Sequence, residues 1–258
     1  MARKPTLSPS RITTYLACPV RYRWTYVDER GRWYLRSRRQ FSFGTTLHKV
    51  LQRFHDSSDA GVATVEDAVA AVEEHWIEAG YRSSQEMEEA MGEGKALIET
   101  YVQAKLARPS DAKVLYVEKS LSLDMGDFVL RGILDRVDEY PDGSLEIVDY
   151  KSQRKTVTPD DIAGSIAMAC YQLLLHDKFP DRKITASITA LQTGATATYF
   201  MPDEERAQFR DDLIALAREI LNCDYESLEP VTKPLCGYCE FIPLCRKHPE
   251  FSEPVLEG

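Results

Sequence analysis

No stretch of the 258 residues reaches the roughly 18 apolar side chains that a membrane-spanning helix requires. The best candidate, Ile162 to Tyr171, contains Gly164 and Ser165 and then meets Gln172. Behind Arg3 and Lys4 there is neither an apolar segment nor a small-residue cleavage site, so no secretory signal and no membrane contact are expected, and the cytoplasm is the expected location. A phosphate loop is also missing. Gly92-Glu93-Gly94-Lys95-Ala96 lacks the four-residue spacer and the hydroxyl after the lysine, and it lies in a helical pattern, which excludes ATP binding there. Repeats, low-complexity tracts, clear linkers and helicase motifs are absent too.

What is there is an ordinary globular composition, 43% apolar and 28% charged, with enough chain for one elaborated domain with its own core. The net charge of −9 hides an asymmetry. Residues 1–40 hold ten Lys/Arg against Asp28 and Glu29, a local +8, so the other 218 residues carry −17. Tyr22, Trp24, Tyr26, Trp33 and Tyr34 are interleaved with arginines in that segment. This pairing stacks bases while holding phosphates, or else it is a solvated charged face whose aromatics pack inward.

Six cysteines occur, and Cys236, Cys239 and Cys245 form a C-x2-C-x5-C knot beside Pro234, Gly237 and Pro243. In a reducing compartment, thiols gathered this closely are metal ligands or redox groups rather than disulfides. A fourth ligand is needed. Cys18, in the helix break Ala17-Cys18-Pro19, is a better candidate than Cys170, inside an apolar helix, or Cys223, at a helix end. One cysteine plus three, far apart in sequence, suits an iron-sulfur cluster somewhat better than zinc.

Hydrophobic periodicity predicts helices over 9–17, from Gly44 through Phe54, over 65–76 and over 87–106. Strands at 114–123, 128–139 and 145–151 follow, the last two joined through Pro141-Asp142-Gly143. Then come a helix over 159–178, strands at 184–191 and 195–201, and a helix over 204–221. With the turn centred on Asp142, residues whose numbers sum to 284 face each other, which sets Asp135 opposite Asp149 with Cβ atoms about 5 Å apart. Opposed carboxylates are kept for a shared proton or a bound cation, and a hard divalent ion fits. Lys151, two residues beyond Asp149, projects from the same face, and the Tyr150 carbonyl is a neutral oxygen ligand. The alternative is a surface hairpin with scattered charges. His55, His75 and His248 carry no constellation.

Taken together these residues resemble the PD-(D/E)XK nuclease superfamily, and within it the RecB-like exonucleases with an iron-sulfur cluster. The carriers are Leu7-Ser8-Pro9-Ser10-Arg11 with Cys18-Pro19, Gly44-Thr45-Thr46-Leu47-His48 as GTxxH, Gly132-Ile133-Leu134-Asp135-Arg136-Val137-Asp138, Ile147-Val148-Asp149-Tyr150-Lys151, then Gln172 and the three clustered cysteines. The resemblance implies an α/β fold with the restriction-endonuclease-like αβββαβ core, a central mixed sheet flanked by helices, a helical insertion after GTxxH, and an iron-sulfur clasp. It implies one nuclease domain over 1–258: a basic segment with the first cysteine (1–43), a helical part (44–110), the catalytic core (111–202) and a C-terminal helix with the cysteine cluster (203–258).

It further implies that His48, Asp135, Asp149 and the Tyr150 carbonyl bind one or two Mg2+ or Mn2+ ions. Lys151 would orient or deprotonate the attacking water, Gln172 would position Lys151 or the DNA, and Cys18, Cys236, Cys239 and Cys245 would hold a [4Fe-4S] cluster. The family's Gln-x-x-x-Tyr becomes Gln172 to His176 here, which leaves the tyrosine's role open, and Glu118 is either a further ligand or a strand-edge charge. The function implied is a DNA exonuclease acting on single-stranded ends in repair, recombination, phage or CRISPR-related processing, with any helicase or recombination partner a separate protein. The alternatives are a nuclease-dead iron-sulfur DNA-binding adaptor and a zinc-stabilised structural protein.

Overall fold

The computed structural model describes residues 4–56, 61–152, 154–249 and 251–252; Arg3, part of the basic count above, lies outside them. In chain order the regular elements are β1 (Thr6–Leu7), α1 (Pro9–Ala17), α2 (Pro19–Tyr22), α3 (Arg39–His55), α4 (Val65–Glu74) and α5 (Ser84–Ala107). They continue with β2 (Lys113–Asp124), β3 (Val129–Glu139), β4 (Leu145–Lys151), α6 (Pro159–Ala163), α7 (Ile166–Lys178), β5 (Ile184–Ala190), β6 (Ala195–Tyr199), α8 (Asp203–Asn222) and α9 (Ile242–Cys245). Contacts divide the chain into two units: the described residues up to Thr6 with Ser37–Asp211, and Leu7–Arg36 with the residues from Asp212 onward. Among the described residues no helix is long and apolar enough to cross a membrane.

The larger unit is built on a mixed sheet. β2 pairs antiparallel with β3, β3 with β4, and β5 with β6, while β4 and β5 run parallel. A parallel pair needs a crossover, and α6 and α7 supply it. They were expected as one helix. Ser165 adopts extended geometry instead and caps α7, its hydroxyl accepting from the Met168 N–H, so the helix breaks at Gly164-Ser165. With α3 ahead of β2–β3–β4, then α7 and β5, the αβββαβ order is present, and α4 and α5 are the insertion between α3 and β2.

The hairpin between β3 and β4 follows from its turn chemistry. The Asp142 carboxylate accepts from the Ser144 N–H at 2.9 Å, and Gly143 has φ +82°, a left-handed conformation that glycine adopts without a Cβ clash. The resulting register pairs Val137 with Ile147 and Arg136 with Val148, so paired residue numbers sum to 284 as expected. One face of β4 offers Val148 and Tyr150 to an apolar layer from α3, α4 and α5, including Leu47, Leu51, Val72 and Ile98. At about 25 cal/mol per Å² this layer provides most of the local stability and holds α3 against the strand ends.

In the smaller unit, segments from the two ends of the sequence share one core: Val20, Trp24, Phe241, Leu244 and Cys245, with Cys18, Tyr34, Leu228, Cys239 and Phe251 packed against it. Ion pairs Arg23–Glu226 at 2.8 Å and Arg21–Glu240 at 3.3 Å, and a hydrogen bond from Lys233 Nζ to the Ala17 carbonyl at 2.9 Å, tie the same segments. The turn at Glu29–Trp33 lies so close to Trp24 that a Cβ on Gly31 would sit 1.7 Å from the Trp24 carbonyl oxygen. Gly31→Ala should therefore shift backbone and destabilise this unit by roughly 2–4 kcal/mol. The check is limited proteolysis, with early cuts confined to Leu7–Arg36 and the residues after Asp212; wild-type protection of those segments would refute the packing argument.

Candidate active site

At the inner end of the β3–β4 hairpin the register runs on toward Asp135 and Asp149. Asp149 is only 3% exposed. Its Oδ2 is buried 2.7 Å from Lys151 Nζ, an ion pair by distance whose angles leave that oxygen without an aligned hydrogen bond. Burial, and then the charge of Asp135, push the Asp149 carboxyl up to about 6, although Lys151 and His48 pull the other way. Asp135 Oδ2 accepts the Tyr150 N–H at 2.9 Å, so the backbone between Asp149 and Lys151 is fixed by the opposing carboxylate.

His48 arrives from α3. Its Nε2–H donates to the Tyr150 carbonyl at 3.1 Å, and its Nδ1 lies 3.4 Å from Asp135 Oδ2 and 3.8 Å from Glu118 Oε1. Burial disfavours the charged ring, but hydrogen bonds to Asp135 and Glu118 outweigh it and raise the histidine to about 10. The carbonyl selects the tautomer with a proton on Nε2, which directs the Nδ1 lone pair of the neutral ring at the two carboxylates. The helix reaches this position because Thr46 is buried and its hydroxyl both donates to the Ser42 carbonyl at 3.0 Å and accepts the Ile77 N–H at 3.3 Å.

Glu118 was an open alternative in the sequence, and the structure brings it in. In the β2–β3 ladder Val117 pairs with Arg136 and Lys119 with Leu134, which leaves Glu118 abreast of Asp135. It has φ +46°, the left-handed region that a residue with a Cβ enters only at a cost of about 1–3 kcal/mol. His48, Glu118 and Asp135 thereby offer ligand atoms within 4.8 Å of one another. A cavity of about 400 Å³ opens on His48 and Glu118, bordered by Phe41, Thr45 and Lys49 as well. One imidazole and several carboxylate oxygens suit a divalent cation that favours oxygen donors.

Tyr150 is held from behind. Arg136 Nη1 donates to the Tyr150 hydroxyl at 2.5 Å, to the Tyr101 hydroxyl at 3.0 Å and to His55 Nε2 at 2.7 Å, while Nη2 pairs with Asp138 at 2.9 Å. Burial and the neighbouring Arg136 keep His55 neutral, its pKa pushed down to about 2. The sequence pattern assigned His55 no role, because the partners that define it come from α5, β3 and β4.

Gln172 was expected to position Lys151 or the DNA. Its Oε1 accepts the Met201 N–H at 3.3 Å, and with His176, one turn on, it borders a cavity alongside Phe200 and Arg206. The same helix, α7, carries Tyr171, whose phenol is raised by burial, followed by the charges of Asp149 and Asp135. Gly132 admits the ring: a Cβ there would come within 3.0 Å of Tyr171 and 2.8 Å of Leu174. The only sequence signal for Tyr171 was its place in the stretch next to Gln172. Cys18, Cys236, Cys239 and Cys245 all lie in the smaller unit, whereas Cys170 is buried in α7.

The family model described as the PD-(D/E)XK nuclease superfamily matches residues 6–246. Streptococcus pyogenes proteins named as the B chain of an ATP-dependent helicase/deoxyribonuclease are 33% identical (serotype M12) and 32% identical (serotype M6) over 116 residues, 42% of this chain. The chain spans about a tenth of the length of those relatives. A solved structure from Eubacterium rectale, named "Putative exonuclease", superposes with TM-score 0.50 at 11% identity, covering 97% of this chain and 90% of that one, a likeness of fold.

The carboxylate cluster makes a prediction for metal-free protein. The fold raises Asp149 above the ordinary aspartate value near 4, so the folded state holds its proton more tightly than the unfolded state and stability falls as pH rises from about 4 through about 6. In EDTA at pH 7, Asp149→Asn should melt roughly 3–8 °C above wild type, and the gap should close below pH 4. Added Mn2+ should raise the wild-type melting temperature and leave the variant nearly unchanged. A variant that melts lower than wild type in EDTA at pH 7 would contradict the charge argument.

Proposed function

Since the chain belongs to the PD-(D/E)XK nuclease superfamily, we propose that it is a divalent-metal-dependent deoxyribonuclease that hydrolyses phosphodiester bonds from single-stranded DNA ends. The observation that carries this reading is the convergence of His48, Glu118 and Asp135 beside a buried Asp149–Lys151 pair, all around one backbone position, Tyr150. His48, Glu118, Asp135, Asp149 and the Tyr150 carbonyl would hold Mg2+ or Mn2+. A bound cation of this type polarises the phosphoryl oxygen and acidifies water.

The chain's own groups do the rest. Asp149 anchors the Lys151 ammonium, which is 43% exposed and keeps donors free for the negative charge that develops on the phosphate in the transition state. The amide of Tyr150 and the Arg136 network behind it keep Asp135 and Asp149 at fixed separation, so little reorganisation accompanies reaction. Tyr171 would donate its phenolic hydrogen to a phosphate oxygen, and Gln172 would position Lys151 or the DNA.

We assign Cys18, Cys236, Cys239 and Cys245 to a [4Fe-4S] cluster that clasps the two sequence ends of the smaller unit. In support, burial and the proximity of Cys239, Cys18 and Cys236 raise the Cys245 thiol to about 12, so these sulfurs would ionise together only with a cation among them. Backbone N–H groups of Arg21 and Lys233 point at the sulfurs of Cys18 and Cys236 at 3.4 Å, donors suited to a charged sulfur. Reduced thiols agree with a cytoplasmic setting. The streptococcal relatives carry helicase in their names, which supports a helicase partner for this chain in repair, recombination, phage or CRISPR-related DNA processing.

The test uses anaerobically purified protein and end-labelled linear single- and double-stranded DNA beside a closed circle, with Mg2+, Mn2+ or EDTA. Linear single strands should be degraded with either metal, circles spared and EDTA inhibitory. Asp135→Ala or Lys151→Ala should lower the rate at least about 100-fold with the fold and the visible absorbance intact. Absence of cleavage in protein whose cluster is intact would leave a DNA-binding adaptor instead. Cys236→Ala or Cys18→Ala should abolish absorbance near 400 nm and destabilise the smaller unit together. A zinc site would give no such band in wild type.

A further inference from the structure

The arginine and aromatic run of residues 21–34 had two readings, a nucleic-acid wall or packing around the cysteine knot, and the structure separates its members. Tyr22 and Trp24 are buried, and Trp24 belongs to the core that contains Cys245. Trp33 does not pack: it is 77% exposed at the end of the turn Glu29–Trp33. Beside it opens a cavity of about 590 Å³ in the smaller unit, bordered by Arg23, Trp24, Arg30, Trp33, Tyr34 and Lys247.

The lining has the chemistry of a nucleotide site. Arg23, Arg30 and Lys247 stand against Glu226 of the lining and Asp28 beside it, an excess of one positive charge on a chain of net −9. The Arg23 and Arg30 guanidinium groups stand over the Trp24 ring at 4.7 and 5.4 Å, and Arg32 stands over Trp33 at 5.2 Å. Arg23 is 6% exposed, held by Glu226 at 2.8 Å and by Asp28 at 3.6 Å, and its buried Nε still lacks a partner. Asp28 also pairs with Arg30 at 2.5 Å, which fixes the guanidinium over the indole. An exposed indole with guanidinium groups set in place around it is an arrangement for a flat π-system joined to an anion.

We propose that this cavity is a second binding site for single-stranded DNA, separate from the carboxylate cluster, in which a base stacks on Trp33 and the adjoining phosphates contact Arg30 and Lys247. Stacking reads the face common to all bases, so the site is indifferent to sequence. A base inside a duplex is stacked on both faces, so the site discriminates against duplex DNA. The choice of DNA as the nucleic acid rests on the deoxyribonuclease reading above; the site itself is tested without cleavage.

The experiment is fluorescence anisotropy of labelled oligothymidylate and of a blunt duplex in EDTA, over a series of salt concentrations. Trp33→Ala should weaken oligothymidylate binding about tenfold, Trp33→Tyr should restore most of it, and duplex affinity should stay at the wild-type value. Lys247→Gln should reduce the slope of log K against log salt by about one. Trp33→Ala should keep the wild-type melting temperature and visible spectrum, as its exposure requires. Oligothymidylate binding by Trp33→Ala equal to wild type, equal losses on single strand and duplex, or a changed oligomeric state in that variant would each overturn the proposal. Failure of the deoxyribonuclease reading would appear separately, as absence of wild-type cleavage with Mg2+ or Mn2+, and would not alter these binding results.

Discussion

Asp149 sits buried beside Asp135, and a cation has to balance them. In the metal-free protein the Lys151 ammonium and a protonated His48 meet part of that demand. Two charges of one sign at low exposure work against folding unless compensated, and here compensation is local and incomplete. The surrounding elements are arranged accordingly. α3 is pinned through Thr46 so that its imidazole reaches the pair, β2 accepts a left-handed Glu118 to bring another carboxylate, and β4 exposes Lys151 at its end. The apolar layer of α3, α4 and α5 stabilises this concentration of charge from one face of the sheet.

Tyr150 transmits that support to the chemistry. Its amide donates to the Asp135 carboxylate and its carbonyl accepts from the imidazole, while its side chain is buried in hydrogen bonds with Arg136 and Tyr101. Few rotamers satisfy all of these at once. The backbone between Asp149 and Lys151 is therefore set by both the hairpin register and a side-chain network on the opposite face, which is the kind of preorganisation that phosphoryl transfer draws on.

The smaller unit meets a different constraint. Its core is small and assembled from distant parts of the sequence, so closing it costs chain entropy that a few buried side chains do not readily offset. A group bridging Cys18 to Cys236, Cys239 and Cys245 would constrain those ends in the way other small domains use metals. Cys223, which the sequence offered as another possible fourth ligand, lies beside Tyr15, whose phenol is raised by burial first and then by Glu219 and Cys223.

Where local chemistry was decisive, the sequence sufficed. Pro141-Asp142-Gly143 specified the turn, the turn specified the register, and the register set Asp135 toward Asp149 with Lys151 on the same face. The αβββαβ order and the insertion after α3 followed from periodicity and from the resemblance carried by its spaced motifs. Tertiary structure alone decided three matters. The start of α7 depends on a helix break at Ser165 that apolar periodicity does not encode, and that helix brings Tyr171 under the charges of Asp149 and Asp135. The recruitment of Glu118 depends on one backbone angle, imposed by pairing with β3. The division of the aromatic run into buried Trp24 and exposed Trp33 depends on which faces the C-terminal segment covers. Residue type and spacing determine what a segment can do; the direction of a side chain is settled only when distant segments compete for the same space.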